Sequence, residues 1–351
     1  RCHPARERDR PDRIDDRSSV SILPTSPRGA FVTVTARPCI DNARTAFTEL
    51  TGEQAIGISA LPKGWGHLAW FVQAASGSYL LKSAVRRPSV TDLYREVAAQ
   101  QIAAVGGLCT PAVVAVSAEG NAFGRPCYLQ TWINGHDAET TLPGLSGEAP
   151  LMLARRFGQA VAILHAITGP RFAEDAAATR SYPTWKKACT GRLRRMAAAN
   201  RDAALLPAAV LEAVTAELET RIASLAEGIR PALTHRDLHL PNLIDRGPRL
   251  PVALVDFESA AFYDPVWDFV KLHMWVFDSH PHLCRPFLAG YTAETPLPVD
   301  FAERLTVYQG IEYLAGFPYF GRTWPDAAML ESFRRLLGRW MDAAGLRGAR
   351  P

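Results

Sequence analysis

The residues best suited to chemistry lie between Leu233 and Asp268 of a 351-residue chain. His235, Arg236, Asp237, Leu238 and Asn242 fill every defined position of the pattern H-R-D-L-x-x-x-N. Asp256 follows Asn242 by fourteen residues, after an apolar run, within Val255-Asp256-Phe257-Glu258. One base, one amide and one carboxylate on a loop between two short strands are the parts that phosphoryl transfer to a hydroxyl requires. Asp237 is placed to orient the hydroxyl and take its proton. Because the transition state is loose, positioning counts for more than basicity. Pro241 tightens the loop, so the Asn242 amide oxygen and the Asp256 carboxylate are expected to hold Mg2+, a cation that prefers oxygen ligands. A zinc site on His235 and His239 fails, because Pro241 forbids a helix there and the H-E-x-x-H glutamate is missing.

Such a loop needs elements that hold a nucleotide against it. Upstream, a strand over Ile56 to Leu61, a second over Leu68 to Val72, a turn at Ser76-Gly77-Ser78 and a third strand over Tyr79 to Ser83 read as a small sheet. Gly64 and Gly66 lie in the first connection, where they would let backbone approach phosphate. Lys82 on the third strand would neutralise it. The two glycines stop short of G-x-G-x-x-G and carry weight only with their partner motifs. Thr91 to Val105 reads as a helix with Glu96 near its middle, expected to hold Lys82 toward the phosphates. Ile40 to Leu50 reads as a short helix capped by Asp41. Strands over Pro111 to Val116 and Pro126 to Trp132 complete the sheet. They lead into Ile133-Asn134-Gly135-His136, a hinge in which backbone from Gln130 to Ile133 faces the base.

From Leu151 onward the pattern is helical. Helices are expected over Leu153 to Ile167, Trp185 to Ala199, Pro207 to Ala226, Pro265 to Phe277, Arg285 to Ala293, Asp300 to Ala315 and Ala327 to Ala344. His165 is expected to pack against the catalytic-loop region. The dense aromatics Tyr308, Tyr313, Phe317, Tyr319, Phe320 and Trp324 read as core first and as a substrate wall second.

These motifs together resemble the aminoglycoside phosphotransferase family, part of the protein-kinase-like superfamily. The resemblance runs over about Ile56 to Gly338. It implies an α+β, two-lobed fold, with a small antiparallel sheet in the N-lobe and a mostly helical C-lobe. Residues 1–39 are expected to be a disordered extension, 40–133 the N-lobe and 134–351 the C-lobe. It implies ATP, with GTP left open, and Mg2+ as cofactors. His235 takes a structural role, bonding backbone near Asp256. Asp264 caps the helix that begins at Pro265, and Asp268 supports the catalytic loop. Arg236 departs from the family, which more often carries Gly there. Only six residues separate Phe257 from Asp264, Glu258 stands where D-F-G has glycine, and no A-P-E follows. That short connection implies a small acceptor rather than a protein.

Composition narrows the classes further. Hydrophobic residues make up 48% and charged residues 21%, as in a soluble globular protein. The net charge is +4, of which Arg1 to Arg28 supply +2 (seven Arg against five acids), leaving too little to argue for nucleic acid. No apolar run approaches the ~20 residues of a membrane span, and no signal-peptide core follows the basic start. Six scattered cysteines without a C-x-x-C pair read as free thiols, hence a cytoplasmic protein. A monomer or homodimer acting on a small molecule is expected. From Asp256 to Asp342, twelve acids face seven bases, a net of −5 that would attract an aminosugar. The first expectation is therefore transfer to an aminoglycoside hydroxyl. A macrolide, a metabolite kinase of choline, homoserine or sugar-amine type, and a nucleotide-binding pseudokinase are the alternatives.

Overall fold

The computed structural model describes residues 39–61, 67–84, 90–118 and 121–346. Gly64, Gly66 and the expected extension up to residue 38 lie outside the described residues.

Helix α1 (Ile40–Thr51) buries Ala43, Ala46 and Phe47. Its N-cap is Cys39, not Asp41. The Cys39 amide donates to Asn42 Oδ1 at 3.0 Å, and Asp41 falls inside the first turn, where it favours the helix dipole instead. Strands β1 (Gly57–Ala60), β2 (His67–Ala74) and β3 (Gly77–Ala84) are followed by α2 (Val90–Val105), β4 (Val113–Ser117) and β5 (Cys127–Thr131). The five strands form one antiparallel sheet in the order β1-β2-β3-β5-β4. Ala74 pairs with Gly77, so the β2–β3 turn is Ala75-Ser76, slightly earlier than the glycine had indicated. Alternation gives the sheet two faces. Trp70, Val72, Leu81, Cys127 and Leu129 pack with α1, while Tyr128 packs with Leu93 and Val97 of α2.

The second lobe begins with β6 (His136–Asp137), α3 (Ala138–Thr141) and α4 (Ala149–Ala166), then the hairpin β7 (Phe172–Ala173) and β8 (Ser181–Tyr182). Next come α5 (Trp185–Ala203), α6 (Ala208–Ser224), and the short strands β9 (Ala232–Thr234), β10 (Leu243–Asp245), β11 (Ala253–Leu254) and β12 (Ala261–Tyr263). Helices α7 (Asp268–Leu272), α8 (Cys284–Thr292), α9 (Phe301–Pro318) and α10 (Ala327–Ala343) close the lobe. β10 pairs with β11 and β6, and β12 with β9 and β7. Residues 235–242 thus leave one anchored strand and enter another, and Asp256 lies just beyond β11.

Two helices cross almost in contact. A Cβ on Gly158 of α4 would lie 2.0 Å from the Phe287 carbonyl, and one on Gly290 of α8 1.9 Å from that of Arg155. Buried Ala99, Ala103 and Leu108 belong to the same core as these helices, so α2 is seated on both lobes.

The helix expected over Pro265 to Phe277 is three pieces: a 3-10 turn (Pro265–Trp267), α7, and a π turn (His273–Phe277). A second π turn (Tyr319–Thr323) begins just after Pro318, whose missing N–H interrupts the ladder. The aromatic group divides accordingly. Tyr308, Tyr313 and Phe317 are core, whereas Tyr319 is 45% exposed. No described helix is long and apolar enough to cross a membrane. The described cysteines form no disulfide.

Candidate active site

Lys82 and Tyr128 are direct cross-strand partners in β3 and β5, so both side chains leave the same face of the sheet, toward α2. Glu96 of α2 meets both. Lys82 Nζ donates to Glu96 Oε1 at 2.6 Å, and the Tyr128 hydroxyl donates to the same oxygen at 2.7 Å. Lys82 also reaches Asp256 Oδ1 at 2.5 Å, bridging the two lobes. Burial alone would lower the Lys82 pKa, but the Asp256 and Glu96 charges outweigh it and hold the ammonium well above its usual range. Burial and the Glu96 charge push the Tyr128 hydroxyl up.

Gln130 lies two residues from Tyr128 on the same face, and its Oε1 is buried without a partner. Of the expected hinge, the Thr131 amide donates to Ala112 and that of Trp132 to Ser78, both at 2.9 Å. Ile133 is the first residue past these bonds.

The loop after β9 is held from below by Asp268, which is fully buried. Its two carboxylate oxygens accept from the His235 amide at 2.8 Å and the Arg236 amide at 2.6 Å. His165 Nε2 lies 3.0 Å from the same Asp268, and its Nδ1 lies 2.9 Å from the Tyr291 hydroxyl. The α4–α8 contact therefore positions a buttress for the loop. His235 Nε2 is 2.9 Å from the Val255 carbonyl, tying the loop to the residue before Asp256. Arg236 adopts φ +64°. That left-handed conformation is the one glycine adopts at least cost. Arg236 instead lays its guanidinium 4.6 Å over the Tyr263 ring. Asp264 caps the following turn by accepting from the Val266 amide at 3.0 Å and also accepts from the Tyr308 hydroxyl. Burial raises its carboxyl pKa.

Asp237 is 31% exposed and has a different neighbour on each oxygen. Oδ2 faces His239 Nε2 at 3.3 Å and Asn242 Nδ2 at 3.4 Å, while Oδ1 faces Lys271 Nζ at 3.8 Å. Asn242 Nδ2 also donates to the Asp237 carbonyl at 3.0 Å. Burial works to raise the Asp237 carboxyl, but the His239 hydrogen bond and the Lys271 charge hold it below the usual carboxylate range. It stays ionised at neutral pH.

Sequence reasoning missed Tyr128, Lys271, Glu312 and Arg192, and considered His239 only as a zinc ligand. Glu312 of α9 joins Arg192 of α5 at 2.9 Å and Lys271 of α7 at 3.5 Å. Burial would raise the Glu312 carboxyl, yet the Lys271 and Arg192 charges lower it to about 2. Three segments far apart in sequence make this cluster, so no local pattern announces it. For Tyr128 a signal existed, since it shares the alternating face of β5 with Gln130.

An antiparallel-sheet lobe over a helical lobe, with these side chains at the seam, is the arrangement of the kinase-like phosphotransferases. The chain belongs to the phosphotransferase enzyme family APH, whose pattern matches residues 57–302. It is a small-molecule kinase. It is 27% identical over 237 residues to homoserine kinase of Xanthobacter autotrophicus, covering 65% of this chain and 68% of that protein. Among solved structures it resembles a thermostable mutant of aminoglycoside phosphotransferase APH(4)-Ia in ternary complex with ADP and hygromycin B. That match has a TM-score of 0.65 at 16% identity and covers 88% of this chain and 100% of the other. Spectinomycin phosphotransferase APH(9)-Ia, with ADP and spectinomycin, matches with a TM-score of 0.58 at 13% identity, over 87% of this chain and 97% of the other.

Proposed function

We propose that this chain is an ATP- and Mg-dependent O-phosphotransferase in which Asp237 orients the hydroxyl of a small acceptor and receives its proton. The observation that carries this reading is the contact of Lys82 with both Glu96 and Asp256, and of Asn242 with Asp237, on two segments tied together where the Val255 amide donates to the Asn242 carbonyl at 3.1 Å. Lys82, held by Glu96, neutralises nucleotide phosphate. The base lies toward Gln130 and Ile133, and the orphaned Gln130 Oε1 is a buried acceptor for which a base N–H is a fitting donor. Gly64 and Gly66 belong to the same reading as the phosphate-covering turn.

Asn242 and Asp256 are two oxygen donors, the complement Mg2+ takes from a protein when phosphates and water fill its other positions. The Asp256 carboxylate already carries a cation, the Lys82 ammonium. When bound, Mg2+ neutralises charge on the phosphate oxygens. His235, Asp264 and Asp268 act indirectly, holding the loop so that Asp237 and Asn242 keep their relative placement.

The aminoglycoside expected first as acceptor is supported by the antibiotics bound in the two solved relatives. A hydroxyl-bearing amino acid is a second reading, supported by the identity with homoserine kinase and by the lysine beside Asp237. The test is ADP release and product mass after incubation with ATP, Mg2+ and both acceptor classes. Asp237→Asn is expected to lower kcat by about 10² to 10⁴; unchanged turnover would remove Asp237 from its role. Nucleotide binding without ADP release for any acceptor would instead describe a binding module.

A further inference from the structure

The two oxygens of Asp237 divide its surroundings. Oδ2 points to His239 and to Asn242, the proposed metal side. Oδ1 points the other way, to Lys271. Lys271 is 18% exposed and lies at 3.5–3.8 Å from its two carboxylate neighbours. Its Nζ is held by these two ion pairs at the long end of hydrogen-bonding distance, so an anionic oxygen can make a closer contact with it. Its stem is fixed on α7, its ammonium lies 5.9 Å from the Trp275 ring centroid on the π turn, and Glu312 steadies it from α9.

Two acids near the loop are already engaged. Glu312 is bound by Arg192 and Lys271. Glu174, from the hairpin beside the loop, is bound by Arg195, Arg180 and the Tyr182 hydroxyl. An ammonium-rich acceptor approaching Oδ1 would find Glu312 neutralised and a lysine in front of it. The −5 balance of the following segment does not describe this spot, because the charge nearest Asp237 on the acceptor side is positive.

We infer that Lys271 is an acceptor-binding residue that takes an anionic group, a carboxylate, on the same molecule whose hydroxyl Asp237 orients. The inference rests on the phosphotransferase reading and names its acceptor class. Oδ1 and Nζ lie 3.8 Å apart, close enough for the hydroxyl and the carboxylate of one short hydroxy acid to reach both at ordinary hydrogen-bond distances.

The experiment compares each hydroxy acid with its neutral amide. The probes are L-homoserine, 4-hydroxybutyrate, glycerate, their carboxamides, and hygromycin B as a polycationic acceptor, with ADP release and product mass as readouts. The intact protein is expected to prefer the acids about 10- to 100-fold in kcat/KM, the value of a charge-assisted hydrogen bond. Lys271→Met is expected to erase that preference chiefly through acceptor KM, and Lys271→Arg to keep most of it. The acid-to-amide ratio of the unmutated protein tests the inference even if Lys271→Met fails to fold. An unmutated protein indifferent to the carboxylate overturns it. So does a Lys271→Met variant that loses kcat equally on acid and amide, which is the mark of a phosphoryl contact. Transfer to hygromycin B but to none of the acids overturns it while leaving the phosphotransferase reading in place. If no ADP forms with any of these probes, the carboxylate inference falls, and the phosphotransferase reading falls with it only if the broader panel of aminoglycosides and metabolites also gives none.

Discussion

At the scale of single residues, the seam works by shared partners. One oxygen of Glu96 receives both Lys82 and Tyr128, and the remaining reach of Lys82 goes to Asp256 across the lobes. Tyr128 is the member whose contribution separates most cleanly, since Phe keeps the ring and removes only the hydroxyl. Tyr128→Phe is expected to cost about 1.5–3 kcal/mol of stability, the value of a hydrogen bond to a charged group. It should also raise the ATP KM several-fold through a less constrained Lys82. Thermal melts and nucleotide saturation curves check both effects, and an unchanged KM would mean that Glu96 holds Lys82 unaided.

At the scale of elements, α4 and α8 are a platform more than a wrapping. Their glycine contact brings His165 and Tyr291 together under Asp268, and Asp268 in turn holds the amides of His235 and Arg236. Gly290→Ala puts a methyl group where the Arg155 carbonyl sits, so the helices must separate. The expected loss is about 1–3 kcal/mol, as for other overpacked contacts, together with a fall in kcat at unchanged nucleotide KM. A destabilised variant with full kcat would show that the loop does not depend on this buttress. The expected helix over Pro265 to Phe277 illustrates what propensity misses at this scale. Apolar periodicity identified a helical segment but could not register the π turn, which needs one more residue per turn and carries Trp275 beside Lys271.

At the scale of the molecule, the lobes are joined by more than the hinge. Helix α2 gives Glu96 to the nucleotide side while Ala99 and Ala103 enter the core of the helical lobe, and the Leu254 amide donates to the Cys109 carbonyl at 3.0 Å. Acid should weaken the helical lobe through Glu312. Its folded carboxyl titrates near 2, below an unfolded value near 4.5. Its stabilising contribution is therefore complete above the unfolded value and is lost as pH falls through 4.5 toward 2. The size is about 3 kcal/mol from this group. Denaturant melts across pH 2–6 should show that slope, and Glu312→Gln should flatten it while lowering stability at pH 7, where its two cations lose their partner.

Much of the chemistry was legible in the chain because it is local. His235, Asp237 and Asn242 sit within eight residues, Asp256 lies fourteen further on, and Asp264 caps its own turn. Lys82 and Glu96 could be read because each has a set place in a strand or helix relative to that loop. The α+β class followed from the family resemblance that these motifs carry, and the change from short strand-like runs to long helical periodicity agreed with it. What faces Asp237 from the acceptor side was decided only in three dimensions. Lys271, Glu312 and Arg192 come from three helices and acquire meaning only where those helices pack. A net charge counted along a segment has no direction, whereas the packing turned one lysine toward Asp237 Oδ1 and tied Glu312 to two cations.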